Sequence, residues 1–137
     1  MRNINLVFLR LMIAAGLLAV GLPLQAQQAS PEKIAGTWSV EIAVDTEAFF
    51  LSLTLGASGE GLEGSVSETY GSFTDLPITE TVFDGTTLSF QFIAPTPPDG
   101  MERAVLVELK VVDESTMEGT LSVPDLGVAG QVKASKQ

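Results

Sequence analysis

The sequence contains no cysteine and no histidine. Without cysteine no disulfide can stabilise the domain, so its stability has to come from buried apolar area and backbone hydrogen bonds. Without either residue type, the Ser–His and Cys–His nucleophile pairs and the usual zinc ligand sets are excluded. These absences predict a protein that is not an enzyme and that holds no metal or cofactor.

Basic residues are also scarce, with 7 lysines and arginines against 17 aspartates and glutamates. Two of the 7, Arg2 and Arg10, lie in a segment that we expect to be removed, which leaves five basic residues and a net charge of −12. Such a surface repels nucleic acid and anionic lipid, because both bind through basic side chains. We therefore expect no nucleic-acid partner. The acidic charge either keeps the protein soluble or attracts cations and basic partners.

The beginning of the chain has the pattern of a secretory signal peptide. Arg2 and Arg10 precede an apolar run, and the small residue Ala26 stands at the expected cleavage point. The apolar run over residues 11–24 is shorter than the roughly 20 residues that a spanning helix needs, so an uncleaved membrane anchor is the weaker alternative. We predict a signal peptide over residues 1–26, export to the periplasm or the medium, and no membrane span after cleavage.

The rest of the chain divides into a polar lead, residues 27–35, and a single domain, residues 36–137. From Gly36 onward apolar and polar residues alternate with period 2, and no helical period is sustained. Eight strands are predicted, over residues 37–44, 49–55, 62–67, 76–83, 88–92, 105–111, 117–123 and 128–132. The sequence therefore predicts an all-β domain.

Short connections favour an antiparallel up-and-down meander, and eight such strands can close into a barrel. We interpret Gly64 and Gly119 as small residues that let the sheet bend tightly at closure. A two-sheet sandwich is the alternative. An outer-membrane barrel is excluded, because the outward positions carry Ser, Thr, Glu, Gln and Lys where a lipid-facing band would be apolar.

Strand direction alternates in a meander, so the longer connections all lie at one end of the barrel, the long-loop end. At the opposite end we predict a structural floor in which the Lys136 ammonium lies near the Trp38 indole. The long-loop end also collects most of the acidic loop residues, which are Asp45, Glu47, Asp75, Asp99, Glu102 and Asp125.

Three motifs resemble a small lipocalin-like domain of exported bacterial proteins, which starts with Gly-x-Trp. They are Gly36-Thr37-Trp38, the GTTLSF segment from Gly85 to Phe90, and Met117-Glu118-Gly119-Thr120. The resemblance implies a lipocalin- or avidin-like barrel and no settled activity. The chain departs from avidin-like proteins, which grip biotin with several tryptophans, because it has a single tryptophan. It also lacks the disulfide and C-terminal helix of classical lipocalins.

Two functional readings remain open. In the first, the barrel binds a small apolar or amphipathic ligand at the long-loop end, through Tyr70, Phe73, Phe90, Phe92, Met101 and Arg103. In the second, side chains fill the core and the domain is an accessory or interaction module that meets another protein through its surface. The volume of the barrel interior distinguishes the two.

The carboxylates support neither a metal site nor catalysis. No calcium-loop spacing occurs, so the acidic loops are expected to be solvated. Asp113–Glu114 and Asp99/Glu102 are the only pairs placed for acid–base work, and both lie in ordinary turn sequences. Arg103 either clamps a ligand carboxylate or phosphate or pairs with neighbours such as Glu102 or Asp99.

Overall fold

A computed structural model describes residues 30–59 and 61–137 of the chain. The signal peptide predicted over residues 1–26 lies outside the described residues, as do residues 27–29 of the polar lead. Within the described part, most residues lie in β-strands, as the period-2 alternation predicts.

The described residues form nine strands, a one-turn helix and a 3-10 helix. In chain order these are α1 (Pro31–Ile34), β1 (Gly36–Val44), β2 (Glu47–Ser58), β3 (Gly61–Glu68), β4 (Leu76–Pro77), β5 (Thr79–Phe83), β6 (Thr87–Thr96), β7 (Met101–Asp113), β8 (Thr116–Val123), the 3-10 helix (Pro124–Leu126) and β9 (Val128–Lys136).

The strands make one antiparallel sheet in the order β4-β3-β2-β1-β9-β8-β7-β6-β5. All neighbours except β1 and β9 are consecutive along the chain, which is the meander that the short connections predict. β9 pairs with β1, with Trp38 opposite Lys136 and Ile42 opposite Val132. The last strand thus closes on the first, and the sheet is a nearly closed barrel. The sandwich alternative is excluded because there is one sheet.

The prediction of eight strands is wrong at residues 76–83, which form two strands. β4 pairs with β3 and β5 pairs with β6, so these two short strands lie at opposite ends of the sheet order. Between them the Ile78 N–H donates to the Gly64 carbonyl at 3.0 Å. Glu80 then takes a left-handed φ of 52°, beside a shift of register. The chain thus changes its pairing here from β3 to β6. We call this place the seam, and it interrupts the ring of described strands.

Close approach between neighbouring strands explains the inward-facing glycines. A Cβ on Gly64 would overlap the Thr54 carbonyl oxygen, and a Cβ on Gly119 would overlap that of Glu108. Gly130 has a similar contact, with a carbonyl oxygen 2.6 Å from the position of its missing Cβ. These contacts support the interpretation of Gly64 and Gly119 as residues that a tightly closed sheet requires.

Inward-facing side chains from all around the sheet form one continuous core. The alternation read from the sequence assigns them correctly, because residues i, i+2 and i+4 of a strand share a face. The largest side chains that are fully buried are Trp38, Ile34, Leu53, Leu88, Leu109, Met117, Val66 and Val132.

The end of the polar lead is folded, as the helix α1. Ile34 of this helix is 1% exposed and belongs to the barrel core. The buried Trp38 indole N–H donates to the Ile34 carbonyl at 2.9 Å. α1 therefore packs against the end of the barrel opposite the long loops.

Candidate functional site

The long-loop end contains the connections over residues 45–46, 69–75, 97–100 and 124–127. Its centre is occupied by aromatic side chains. Phe92 is 2% exposed, and its ring lies 6.1 Å from that of Phe73 and 6.4 Å from that of Phe90, measured between centroids. Phe73 comes from the loop before β4 and packs on the core. Three of the residues predicted to bind a ligand are thus brought together, and in this structure they pack on one another.

Tyr70 and Met101, two further predicted ligand residues, point into solvent. Tyr70 is 82% exposed at the tip of the connection after β3, and Met101 is 61% exposed at the start of β7. Both therefore surround the long-loop end without lining an interior space.

Arg103 lies beside this end and is fully engaged with its own loop. Its guanidinium donates two hydrogen bonds of 2.8 Å to the two carboxylate oxygens of Asp99, and a third of 2.8 Å to the Thr96 hydroxyl. These bonds, with a further one from the Met101 N–H, hold the pKa of Asp99 well below its usual range. The same pairing raises the pKa of Arg103. Arg103 thus holds residues 97–100 against the barrel. This is pairing with a neighbouring carboxylate, the alternative to clamping a ligand.

Two further acidic residues, Asp75 and Asp113, take part in hydrogen bonds within turns and loops. The Asp75 N–H donates to the Ser67 hydroxyl at 2.8 Å, and this hydroxyl in turn lies 3.5 Å from Asp75 Oδ1, which accepts from it. Asp113 belongs to the predicted acid–base pair Asp113–Glu114. Its carboxylate accepts a hydrogen bond of 2.9 Å from the Ser115 N–H, and this bond lowers the pKa of the carboxyl. Glu114 lies 4.0 Å from the Lys33 ammonium. Among residues 30–59 and 61–137, no group of three or more acidic side chains is placed to hold a metal ion.

At the opposite end the structure brings Trp38 and Lys136 together. The Lys136 ammonium lies over the indole, with Nζ 5.7 Å from the ring centroid. It also donates to the Lys33 carbonyl at 2.9 Å, so α1, β1 and β9 meet at this point. The ammonium is attracted to the face of the buried indole, and its hydrogen bond to the Lys33 carbonyl gives it a polar partner as well.

A concave surface appears where the sequence did not suggest one, on the outside of the barrel. This outer groove has a volume of about 300 Å³ and runs across the outer face of β5–β8. Its side chains include Leu106, with Glu80 and Glu108 on its borders. Ile93 and Val82 stand on the same outer face and are each 61% exposed. Leu106 itself is 39% exposed.

The register of the strands relates these side chains to one another. Leu106 lies opposite Gln91, and Ile93, two residues further along β6, is its diagonal neighbour. Val82 lies opposite Ser89, which in turn lies opposite Glu108. Leu106 and Ile93 are therefore neighbours on the outer face, and Val82 stands at another outward position, beside Ser89 of the groove. The sequence does carry this signal, because Val82, Ile93 and Leu106 interrupt the outward polar pattern.

A second groove, of about 320 Å³, crosses the outer face of β7–β9. Its charged side chains are Lys110, Glu118 and Lys133, and it also includes the exposed Val112. Lys110 lies opposite Glu118, and Glu118 lies opposite Lys133, so its charges alternate in sign across the strands. The outer groove, in contrast, has two carboxylates and no basic residue in its lining.

Comparison with family models, with curated proteins and with solved structures found no match to this chain. The resemblance to a lipocalin-like domain consequently stays a prediction that rests on its three motifs. In the described part of the chain, no helix combines the length and the apolar character needed to cross a membrane.

Proposed function

We propose that the protein is an exported, non-catalytic interaction module that binds another protein on the outside of a barrel filled by its own side chains. The observation that carries this proposal is the location of two grooves among residues 30–59 and 61–137: both lie on the outer face, while the aromatic rings of Phe73, Phe90 and Phe92 pack together at the long-loop end. In this proposal the barrel is a rigid scaffold of the small lipocalin-like kind, and its surface does the binding.

Site-specific photo-cross-linking in the native host tests this function. A photoreactive side chain is placed at Ser89 in the outer groove, at Thr54 on the outer face of β2, or at Tyr70 at the long-loop end. We expect one discrete protein adduct from an outer-face position and none from Tyr70. Adducts that form equally from all three positions, or from none, would contradict the proposal.

A small apolar or amphipathic ligand at the long-loop end is the second candidate function. It is favoured by the exposure of Tyr70 and Met101 at the rim of that end. Binding there requires Phe73 to leave Phe92, because the two rings now occupy the entrance. Native mass spectrometry of protein purified from its own host distinguishes the candidates: a retained small molecule supports the ligand carrier, and the bare chain mass supports the interaction module.

A further inference from the structure

We infer that the outer groove docks an extended, cationic and amphipathic segment of the partner protein, in which Lys or Arg residues alternate with apolar ones. This inference rests on the proposed function and names the surface and the chemistry of its partner. Leu106, Glu80 and Glu108 line the groove itself, and the exposed apolar side chains Val82 and Ile93 flank it on the same outer face.

The apolar part of the surface supplies the contact area. Leu106 occupies the groove, and Ile93 and Val82 flank it at outward positions where most residues of this sheet are polar. Leu106 and its diagonal neighbour Ile93 are roughly 7–8 Å apart by the usual geometry of neighbouring strands. Alternate side chains of an extended segment are about 7 Å apart, so two apolar residues of such a segment match the two positions.

The charge of the surface selects among possible occupants. Glu80 and Glu108 border the groove and its lining has no basic residue; the nearest outward lysine of β7, Lys110, belongs to the second groove. A second copy of this chain would bring two acidic surfaces together, and nucleic acid and anionic lipid are repelled for the same reason. A cationic segment is the occupant whose charge complements the surface.

The binding test uses a synthetic peptide of sequence Lys-Val-Lys-Leu-Lys-Val-Lys with blocked ends, titrated into isotope-labelled protein while backbone amide shifts are followed by NMR. We expect shifts to cluster at Ser89, Gln91, Leu106 and Glu108. The second groove, with its mixed charges, is the internal control, and its amides should not move, apart from Thr120, which lines both grooves. The same peptide with Glu in place of Lys should not bind, and heptalysine should bind more weakly because it lacks the apolar residues.

Matched variants locate the interaction. Leu106→Asn and Glu108→Gln should each weaken binding of the Lys-Val peptide by about fivefold, which is a moderate loss for one contact at an interface. Val112→Asn and Glu118→Gln are the controls. They replace an apolar residue by Asn and a Glu by Gln at outward positions of the second groove, and they should change the affinity by less than about twofold. If Leu106→Asn impairs folding, Glu108→Gln still tests the site, because Glu108 is exposed and outward.

The results that overturn this inference differ from those that overturn the proposed function. Shifts spread over the whole acidic surface, shifts at the long-loop end, or control variants as damaging as the groove variants exclude the outer groove as the cationic site. If the Ser89 cross-linker still yields one protein adduct in the host, the interaction function survives and only the chemistry assigned here is wrong. If no outer-face position yields an adduct, the proposed function fails, and the docking assignment fails with it.

Discussion

At Gly119 the backbone of β8 lies against the backbone of β7 without space for a side chain. Gly119→Ala would push a methyl group into the Glu108 carbonyl oxygen, and because this neighbour is backbone it cannot simply rotate away. We expect a loss of about 1–3 kcal/mol in the free energy of unfolding, or more if the hydrogen bonds between β7 and β8 break. The measurement is urea unfolding followed by the fluorescence of Trp38, the only tryptophan.

Gly56→Ala is the matched control for that variant. Gly56 also lies in a strand, β2, but a Cβ there would meet nothing within 4 Å. The alanine should be neutral or slightly stabilising, because alanine reduces the freedom of the unfolded chain. Equal destabilisation by the two substitutions would show that the close contact at Gly119 is not the cause.

The Asp99–Arg103 pair gives the fold a pH dependence with a defined sign. The pKa of Asp99 lies below its ordinary value of 3.8 in the folded chain, so the pair stabilises the fold above that pH and the contribution is lost as the pH falls below it. Asp99→Asn should therefore lower the Tm by a few degrees at pH 7, and the difference from the parent should shrink in acid. Thermal unfolding across the acidic range measures this difference.

Glu102→Gln is the control for the change in net charge, since it removes a carboxylate from the neighbouring residue without touching the two hydrogen bonds from Arg103 to Asp99. It should leave the Tm at pH 7 nearly unchanged, because isolated surface charges contribute little. An Asp99→Asn deficit that stays constant down to the most acidic sample would contradict the pairing.

Among the elements, α1 is a helix of only four residues, and its contribution comes from one side chain. Ile34 is buried in the barrel core, and its carbonyl accepts the Trp38 indole N–H. Ile34→Ala should cost about 2 kcal/mol, at the low end for a buried isoleucine, because the short helix α1 can move into the space. Water would then reach the indole, so the emission of Trp38 should shift to longer wavelength.

Lys33→Ala tests whether the effect belongs to the buried residue or to the helix as a whole. The Lys33 side chain is 61% exposed and meets Glu114 only at 4.0 Å. We expect unchanged fluorescence and nearly unchanged stability, since the carbonyl that accepts the Lys136 ammonium is backbone and stays in place. A red shift in this variant would mean that α1 is held by its surface contacts.

The strands illustrate what alternation can and cannot predict. Apolar residues with period 2 locate β1 to β3 and β6 to β9 and assign their faces, because burial of one side of a sheet leaves a direct trace in the sequence. The split into β4 and β5 leaves a weaker trace. Glu80 interrupts the apolar pattern of residues 76–83, but its left-handed backbone is set by pairing to two different partners, and this is a tertiary effect.

At the scale of the whole molecule the seam is the weakest part of the ring. β4 has two residues and β5 has five, and each pairs with another strand on one side only. Amide hydrogen exchange should therefore be fastest, among strand residues, in β4 and β5 and slowest in β1, which is paired on both sides by β2 and β9. NMR-detected exchange of the full chain measures this order. Protection in β5 equal to that in β1 would mean that the ring opens elsewhere.

The candidate site shows the same division between local pattern and global shape. The outward positions of Val82, Ile93 and Leu106 follow from alternation once the strands are known. The groove that Leu106 forms with Glu80 and Glu108, and the places of Val82 and Ile93 beside it, depend on the register of β5 to β7 and on the curvature of the sheet, and neither can be read from composition. Likewise, loop sequence alone does not reveal that Phe73 packs on Phe92.

The contact between β1 and β9 also bears on how the chain is made. Trp38 finds its cross-strand neighbour Lys136 only after all the intervening strands, β2 to β8, have been synthesised. Until then one edge of β1 has no pairing strand. Pairing of β1 with β9 is an intrinsically slow step, because the two strands are far apart in the sequence. A chain truncated within β9 would accordingly be unable to close the barrel. The unpaired edges of β1 and β8 could then pair with strands of other nascent chains.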